Sequence, residues 1–436
     1  MKALRSLLLG SVLALALAST TARSAESPFK FEFHGFVVGT LYMQDEVFLT
    51  GQGSGLLMAA PAPGNNLPRP GVATDKKSTF VGGDARQLRP IFVVTGPDAF
   101  GAKAKAHLEF DLFGNPNAGA LGYESPNVRL RQAFGELKWG NTSLDAGQHS
   151  AQLLLAMIPT SLAHITNPVT FGAGLLGWRT IGFRVLHAMP MEGFKLELGA
   201  ELSHGKWADA SAAGVFPLNA PNGISLAWAS SMPQIVGRVK ADGKADDLTW
   251  MGWVAGSYEA INLKGFGNTV APNGVTLQDG TNKKDIASWA VTAGGKFDYM
   301  PVTLALQFYT GRGTAPIAGT TLQFGDIADM GGWAQLGFFA TKQISLWAIG
   351  GYSAADKKDL QNWLNPAGTN LSIAATTIRK DNTMLGGMAR YADGGYQFAV
   401  EFYNYSTTYL TGNIANGGGE KGSSAYQVLV SGGYFF

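Results

Sequence analysis

The chain has 436 residues, of which 15% are charged, against about 25% in typical soluble domains, and it contains 58 glycines and no cysteine. The formal net charge is only +2, so the chain is not a polycation and we exclude nucleic acid as a partner. Without cysteine it has no disulfide framework, thiol nucleophile or cysteine-based metal site.

Residues 1–22 are predicted to be a signal peptide. Lys2 and Arg5 precede the apolar run Leu7 to Ala18, and small residues follow this run. Cleavage is expected between residues 18 and 25, with the bond after Ala22 favoured. Residues 23–436 then form a single domain, and export leaves three classes open: a soluble periplasmic protein, a secreted all-β protein, or an outer-membrane barrel.

The mature chain shows recurrent strand-like segments separated by Gly, Pro, Asn and Asp. In 101–113, for example, Ala104, Ala106 and Leu108 alternate with Lys105 and His107. Sixteen strands are predicted, at 31–47, 86–96, 101–113, 128–139, 143–152, 178–188, 194–204, 233–241, 247–260, 285–298, 302–311, 331–340, 344–353, 378–391, 395–409 and 424–436.

Short turns and long loops alternate strictly between these segments. The turns are predicted near residues 97–100, 140–142, 189–193, 242–246, 298–301, 341–343 and 392–394, and longer connections separate the other pairs. This asymmetry is typical of transmembrane barrels, which have short periplasmic turns and long extracellular loops. Sixteen strands that each have one apolar face would overfill the core of a sandwich, whereas they suit a wide barrel with a water-filled lumen. The predicted fold is therefore an all-β, transmembrane, antiparallel barrel of sixteen strands.

The last predicted strand ends in aromatic residues. Tyr434 and Phe436 lie on its apolar face, as expected of side chains at a membrane boundary. This ending resembles the C-terminal assembly signal of Gram-negative outer-membrane barrels, which implies the barrel-assembly machinery as a partner. Gly35, Val37 and Leu41 are expected to pair alongside this strand and close the barrel.

The whole pattern resembles the sixteen-stranded trimeric porins of Gram-negative outer membranes. Two stretches, Gly101 to Gly114 and Val128 to Gln148, look like the DcaP-type branch of those porins. The resemblance implies an outer-membrane location, contact with lipid and lipopolysaccharide, a homotrimer, and passive diffusion of small hydrophilic solutes.

The resemblance also implies that the third long loop, 153–177, folds into the barrel and narrows the pore. Its candidate constriction residues are Leu153, Met157, Pro159, His164 and Pro168. The loop contains no Asp, Glu, Lys or Arg, whereas cation-preferring porins usually have acids there. An apolar loop packed against the wall is the alternative interpretation of the same residues.

Alternate residues of a strand point to opposite faces. If the apolar residues face lipid, a set of cationic side chains points into the lumen, where they would attract anions. These are Arg89, Lys103, Lys105, Arg129, Arg131, Arg184, Arg238 and Arg390. Glu109 and Asp111 are expected to pair with Arg131 and Arg129, and Glu197 with Arg184. Arg89, Arg238 and Arg390 have no obvious acidic partner in the adjacent hairpin strand, and we expect them to contact anionic or neutral solutes.

Motifs for catalysis and cofactors give no support to an enzyme. Gly172, Gly174 and Gly177 match G-x-G-x-x-G, but no βαβ unit surrounds them. The six histidines show no metal-ligand spacing. We therefore expect no catalytic residue, cofactor or metal. Two alternatives to a porin stay open: an outer-membrane barrel hydrolase, and a secreted all-β binding or adhesion protein.

Overall fold

The computed structural model describes residues 28–45, 48, 79–114, 126–149, 153–204, 232–262, 269–270, 276–278, 285–314, 317, 319, 326–364, 379–411 and 419–436. The predicted signal peptide and its cleavage site lie outside the described residues.

The described residues form sixteen barrel strands, a small two-stranded sheet and one helix. The first barrel strands are β1 (Lys30–Asp45), β2 (Thr79–Thr95), β3 (Lys103–Asp111), β4 (Arg129–Trp139), β5 (Thr142–His149), β6 (Thr180–Met191), β7 (Phe194–His204), β8 (Gln234–Ala245) and β9 (Leu248–Asn262). The small sheet consists of β10 (Thr269–Val270) and β11 (Thr276–Gln278). The others are β12 (Asp285–Tyr299), β13 (Val302–Arg312), β14 (Ala328–Phe339), β15 (Ile344–Ala355), β16 (Arg379–Asp393), β17 (Tyr396–Thr411) and β18 (Gly419–Phe435), and helix α1 (Lys357–Leu364) follows β15.

The sixteen barrel strands close into one antiparallel barrel, which confirms the predicted fold class. Each strand pairs with its neighbours in sequence, and β1 pairs with β18 to close the sheet. In this pair Val37 lies opposite Tyr434 and Leu41 opposite Val430. Gly35 and Phe436 exchange two backbone hydrogen bonds, of 2.9 and 3.0 Å. Closure leaves no unpaired edge, the condition for a sheet surrounded by lipid.

Tight turns lie at one rim of the barrel and the longer connections at the other. Two-residue turns such as Glu192-Gly193 and Gly394-Gly395 contain glycines with positive φ, 78° at Gly193 and 56° at Gly394. Two strands begin five or more residues before their predicted starts: β2 at Thr79 and β18 at Gly419. Small residues in both extensions weaken the apolar alternation on which the prediction depends.

The two faces of the wall differ as predicted. On β1, Leu41 points outward and is 68% exposed, whereas its neighbours Thr40 and Tyr42 point inward and are buried. The same alternation of exposed apolar and buried side chains continues on β18. Among the described residues, no helix is long and apolar enough to cross a membrane.

Two β-bulges add inward-facing side chains to the wall. On β2, Arg86 and Gln87 are both buried, where the register against β1 shifts between Val38 and Thr40. On β4, Arg131 and Gln132 both reach Glu109, where the register against β3 shifts. The bulges therefore concentrate polar groups on one stretch of the interior.

Candidate functional site

The segment 153–177 lies inside the barrel, because inward-facing side chains of the wall bind its backbone. The wall groups come from both halves of the barrel, from β2 and from strands between β7 and β17. They are Gln87, Glu201, Trp253, Gln307, Gln335, Ser353, Asn382, Glu401 and Tyr405. Amide, hydroxyl, carboxylate and indole groups of the wall thus satisfy a loop that lacks charges of its own, as buried backbone groups require.

Glu401 on β17 is the carboxylate among these anchors that accepts most hydrogen bonds from the loop. Its carboxylate accepts hydrogen bonds from the amides of Leu162, at 2.8 Å, and Ala163, at 2.7 Å, and from Ser161 Oγ, at 2.6 Å. Tyr403 donates a further hydrogen bond to it. Glu401 itself is fully buried. A buried carboxylate is tolerated here because each bond that it accepts is charge-assisted.

Gln87 on β2 binds residues 162–166 of the loop, which overlap the part that Glu401 binds. The two anchors lie on either side of the closing strands β1 and β18. Its Nε2 donates to the carbonyl of Ala163, at 2.6 Å. Its Oε1 accepts from the amides of Ile165, at 3.0 Å, and Thr166, at 3.2 Å. The amide group therefore pairs with both donors and acceptors of the loop, which a carboxylate could not do.

Apolar packing completes the anchoring. Ala163, Val169 and Ala173 of the loop pack with Tyr403 and Tyr405 of the wall. Leu153, Leu154 and Leu176 pack in a second interior cluster with Trp253 and Tyr309. Full burial of a leucine contributes about 1.5 to 3 kcal/mol, so we interpret the loop as a fixed part of the wall.

The five predicted constriction residues differ in exposure. Leu153, Pro159, His164 and Pro168 are buried, and Met157 is partly buried. His164 lies with Nε2 3.3 Å from Gln427 Oε1 and packs edge-on against Tyr403. Burial lowers the pKa of His164, so it prefers to be neutral in the folded loop.

Opposite charges from β2, β3, β4 and the residue before β6 meet in what we call the arginine cluster. It is formed by Arg89, Arg129, Arg131 and Arg179 with Glu109 and Asp111. Arg131 bonds to Glu109 at 2.5 Å and to Asp111 at 2.7 Å, and Arg129 bonds to Asp111 at 2.6 Å. These are the pairs that the sequence predicts. Four guanidinium groups share two carboxylates, so the cluster has an excess of positive charge.

Arg179 is the member that sequence reasoning missed. Parity on the predicted strand 178–188 sends Arg184 inward and Arg179 outward, but β6 begins only at Thr180. Arg179 is buried, lies over the ring of Trp178 at 5.0 Å, and interacts electrostatically with Arg131, Arg129 and Asp111. Within the described part of the chain it has no hydrogen bond or ion pair. Burial lowers the pKa of its guanidinium, although an arginine stays charged in proteins.

Three expectations about arginine pairing are wrong. Arg89 has an acidic partner, Glu109, at 3.3 Å, and Arg238 has Glu197, at 2.8 Å. Arg184 pairs with Glu201 at 2.9 Å. The tight turn after Met191 extends β6 beyond its predicted end, so Arg184 lies directly opposite Glu201.

The other predicted cations lie in different surroundings. Lys103 is near the short-turn rim and pairs with Asp98 at 2.9 Å. Lys105 is partly buried and lies opposite Glu136. Arg390 is partly buried, with its guanidinium 5.5 Å from the ring centre of Trp347, and in the described ranges it forms no ion pair. Among those same residues, no group of three or more His, Asp or Glu is arranged to hold a metal ion.

No family model matches the chain, and no curated protein matches it in sequence. Its structure is similar to that of the outer membrane channel DcaP of Acinetobacter baumannii, at 13% identity and a TM-score of 0.62, over 95% of this chain and 99% of the other. It is also similar to the in-vitro folded outer membrane protein OmpT of Vibrio cholerae, at 11% identity and a TM-score of 0.51, over 95% of this chain and 100% of the other. A trimer form of that protein gives a TM-score of 0.50 at 11% identity, over 94% of this chain and 100% of the other.

These similarities extend over nearly the whole of each chain and establish a shared fold. The predicted resemblance to outer-membrane porins, including the DcaP-type branch, is confirmed at the level of that fold.

Proposed function

We propose that the chain is an outer-membrane porin that lets small hydrophilic solutes diffuse passively and favours anionic or neutral solutes over cations. The apolar outer face, with side chains such as Leu41, Phe183 and Phe398 exposed, suits contact with lipid. The short turns would lie in the periplasm and the long loops outside the cell. Lipopolysaccharide and the barrel-assembly machinery are the partners that this location implies.

The arginine cluster is the observation on which the anion preference depends. Its surplus of guanidinium groups lies inside the barrel, and Arg179 has no carboxylate of its own among the described residues. The inward loop adds no charge to offset it. In a narrow lumen with apolar walls such a surplus raises the local concentration of anions.

The test is the reversal potential of single channels across a potassium chloride gradient. The wild-type protein should show chloride preference. Arg179→Gln should shift the reversal potential toward the potassium value, whereas Lys342→Gln, an exposed charge loss in the β14–β15 turn, should leave it unchanged. Cation preference in the wild type would contradict the proposed selectivity but not the channel.

We also propose a homotrimer. The outer faces of β3 to β5 include small residues such as Ala106, Gly135 and Ala146, which allow flat walls to approach closely. A trimer form is known for the similar OmpT. The mass of the detergent-solubilised particle, corrected for detergent by light scattering, tests this: a monomer mass would contradict it.

Neither alternative class has a specific observation in its favour. A barrel hydrolase should turn over ester or peptide substrates, and a secreted binding protein should stay soluble without detergent. A protein that needs detergent, conducts ions and does not hydrolyse these substrates would be a porin and neither of the two alternatives.

A further inference from the structure

A row of charged side chains crosses five neighbouring strands inside the barrel. Each member lies directly opposite the next in the strand register: Lys105, Glu136, Asp145, Arg184 and Glu201. Signs alternate along the row except at Glu136 and Asp145. Arg184 bonds to Glu201 at 2.9 Å, so its charge is largely engaged on the other side. Like charges directly opposite each other destabilise a sheet. Lys105 lies opposite Glu136, so the five side chains, two positive and three negative, carry one uncompensated negative charge.

Asp145 and the nearby His149 also have buried polar atoms without hydrogen-bond partners among the described residues. Asp145 is 5% exposed, and its Oδ1 has no hydrogen-bond donor within the described residues. His149 is 2% exposed, packs against the Phe134 ring at an interplanar angle of 35°, and has Nε2 3.9 Å from Asp145 Oδ2. Neither of its ring nitrogens has a partner in that part of the chain. Buried polar atoms without partners are rare in native proteins and point to a missing ligand or water.

We propose that Glu136, Asp145 and His149 form a subsite for the protonated amine of a solute, an inference that rests on the proposed porin function. An ammonium group has three N–H donors and one positive charge. It would donate to Asp145 Oδ1 and to an unprotonated nitrogen of the His149 ring, the buried groups that lack partners among the described residues. Its charge would offset the excess negative charge of the row, with Glu136 directly opposite Asp145. Glu136, which is partly exposed, provides the approach from the lumen.

An ammonium group fits this subsite better than a metal ion. A metal would need several ligands converging on one point, and the described residues contain no group of three His, Asp or Glu so arranged. A water molecule could satisfy the unpaired atoms but would leave the excess negative charge of the row uncompensated. The charge pattern therefore favours a cationic group.

The subsite and the arginine cluster lie on the same wall at different depths. Glu136 follows Arg131 by five residues on β4, a rise of at most about 16 Å along the strand. Long side chains at both positions shorten the gap that a solute must span. A solute with a carboxylate at one end and an amine at the other, such as a short peptide, would contact both.

Triglycine and N-acetyltriglycine are matched probes, since they have the same peptide chain and carboxylate, and acetylation replaces the charged amine of the first with the uncharged amide of the second. Blocking of single-channel current at pH 7.5 should require an about tenfold lower concentration of triglycine, corresponding to about one charge-assisted hydrogen bond. Glu136→Gln and Asp145→Asn should each reduce this difference to less than about twofold without changing the block by N-acetyltriglycine. Glu192→Gln, in the exposed β6–β7 turn, should retain the full difference.

The outcomes separate this inference from the proposed function. Equal block by both peptides in a conducting wild-type channel would overturn the subsite and leave the porin intact, as would a difference that persists in both variants. A wild-type protein that does not conduct would overturn the porin itself. The comparison of the two peptides on the wild-type channel tests the subsite even if a variant fails to fold. Folding of each variant is checked by the gel shift between its unheated and boiled samples.

Discussion

Glu401 should hold the inward loop in place, and Glu401→Gln should release it. The glutamine carbonyl can still accept hydrogen bonds, but its NH₂ group replaces the second carboxylate oxygen, and the charge is lost. The amides of Leu162 and Ala163 and the hydroxyl of Ser161 now bond to this carboxylate. Because hydrogen bonds to charged groups contribute about 1.5 to 3 kcal/mol each, we expect loop docking to weaken by about 2 to 3 kcal/mol.

The absence of cysteine from the chain allows a direct assay of this loop. A single Leu162→Cys reporter, at a position that is 1% exposed in the folded barrel, should react with a maleimide only when the loop opens. In the regime where opening and closing are faster than labelling, the rate follows the population of the open form. Glu401→Gln in this background should then accelerate labelling by about 30- to 150-fold. The cavity left by the reporter cancels, because both proteins contain it.

Glu192→Gln in the same background is the control, since it removes an exposed carboxylate in the β6–β7 turn at the short-turn rim. Its labelling rate should equal that of the reporter alone. Labelling that changes by less than about twofold in Glu401→Gln would refute the view that this carboxylate fixes the loop.

Three further predictions concern assembly, stability and pH. Deleting Phe436 removes the two backbone bonds to Gly35 at the end of the β1–β18 pairing, so membrane assembly should fall while export continues; normal levels of heat-modifiable protein in the outer membrane would contradict this. Arg131→Met leaves two buried carboxylates with fewer partners and should cost about 3 kcal/mol, measured as a lower temperature of the folded-to-unfolded gel shift; an unchanged temperature would count against it. The lowered pKa of His164 means that loop docking is strongest above the ordinary histidine value of about 6.5 and weakens as the pH falls below it. Labelling of Leu162→Cys, normalised to an exposed cysteine, should therefore rise between pH 7 and pH 5, and His164→Gln should remove that rise.

Most of the barrel could be predicted from local sequence because its determinants are local. Alternation of apolar and polar residues identifies a strand with two different faces, and Gly-containing turns mark where the chain reverses. The order of short and long connections then identifies the two rims. The closure of β1 on β18 follows from the even number of strands, which is why Val37 and Leu41 could be placed beside the final strand.

The ion pairs were harder to predict because they depend on register. A tight turn at Glu192-Gly193 moves Arg184 opposite Glu201 instead of Glu197, and Glu197 is then available to Arg238. A period-2 pattern gives the face of a residue but not its partner on the next strand.

Bulges and strand ends account for the remaining differences. A bulge brings Arg86 inward beside Gln87, and no sequence signal that we recognise marks it. Arg179 belongs to the arginine cluster because it precedes β6, where parity no longer applies. Its neighbour Trp178, an aromatic ring next to a cation, was the one available hint.

Single-channel recording in a planar bilayer is the most direct test of the central claim. Purified, heat-modifiable wild-type protein should insert and give discrete, ohmic current steps in potassium chloride, and the steps should be absent with boiled protein. Insertion of folded protein without any ionic current would contradict the porin assignment, whatever the solute preference.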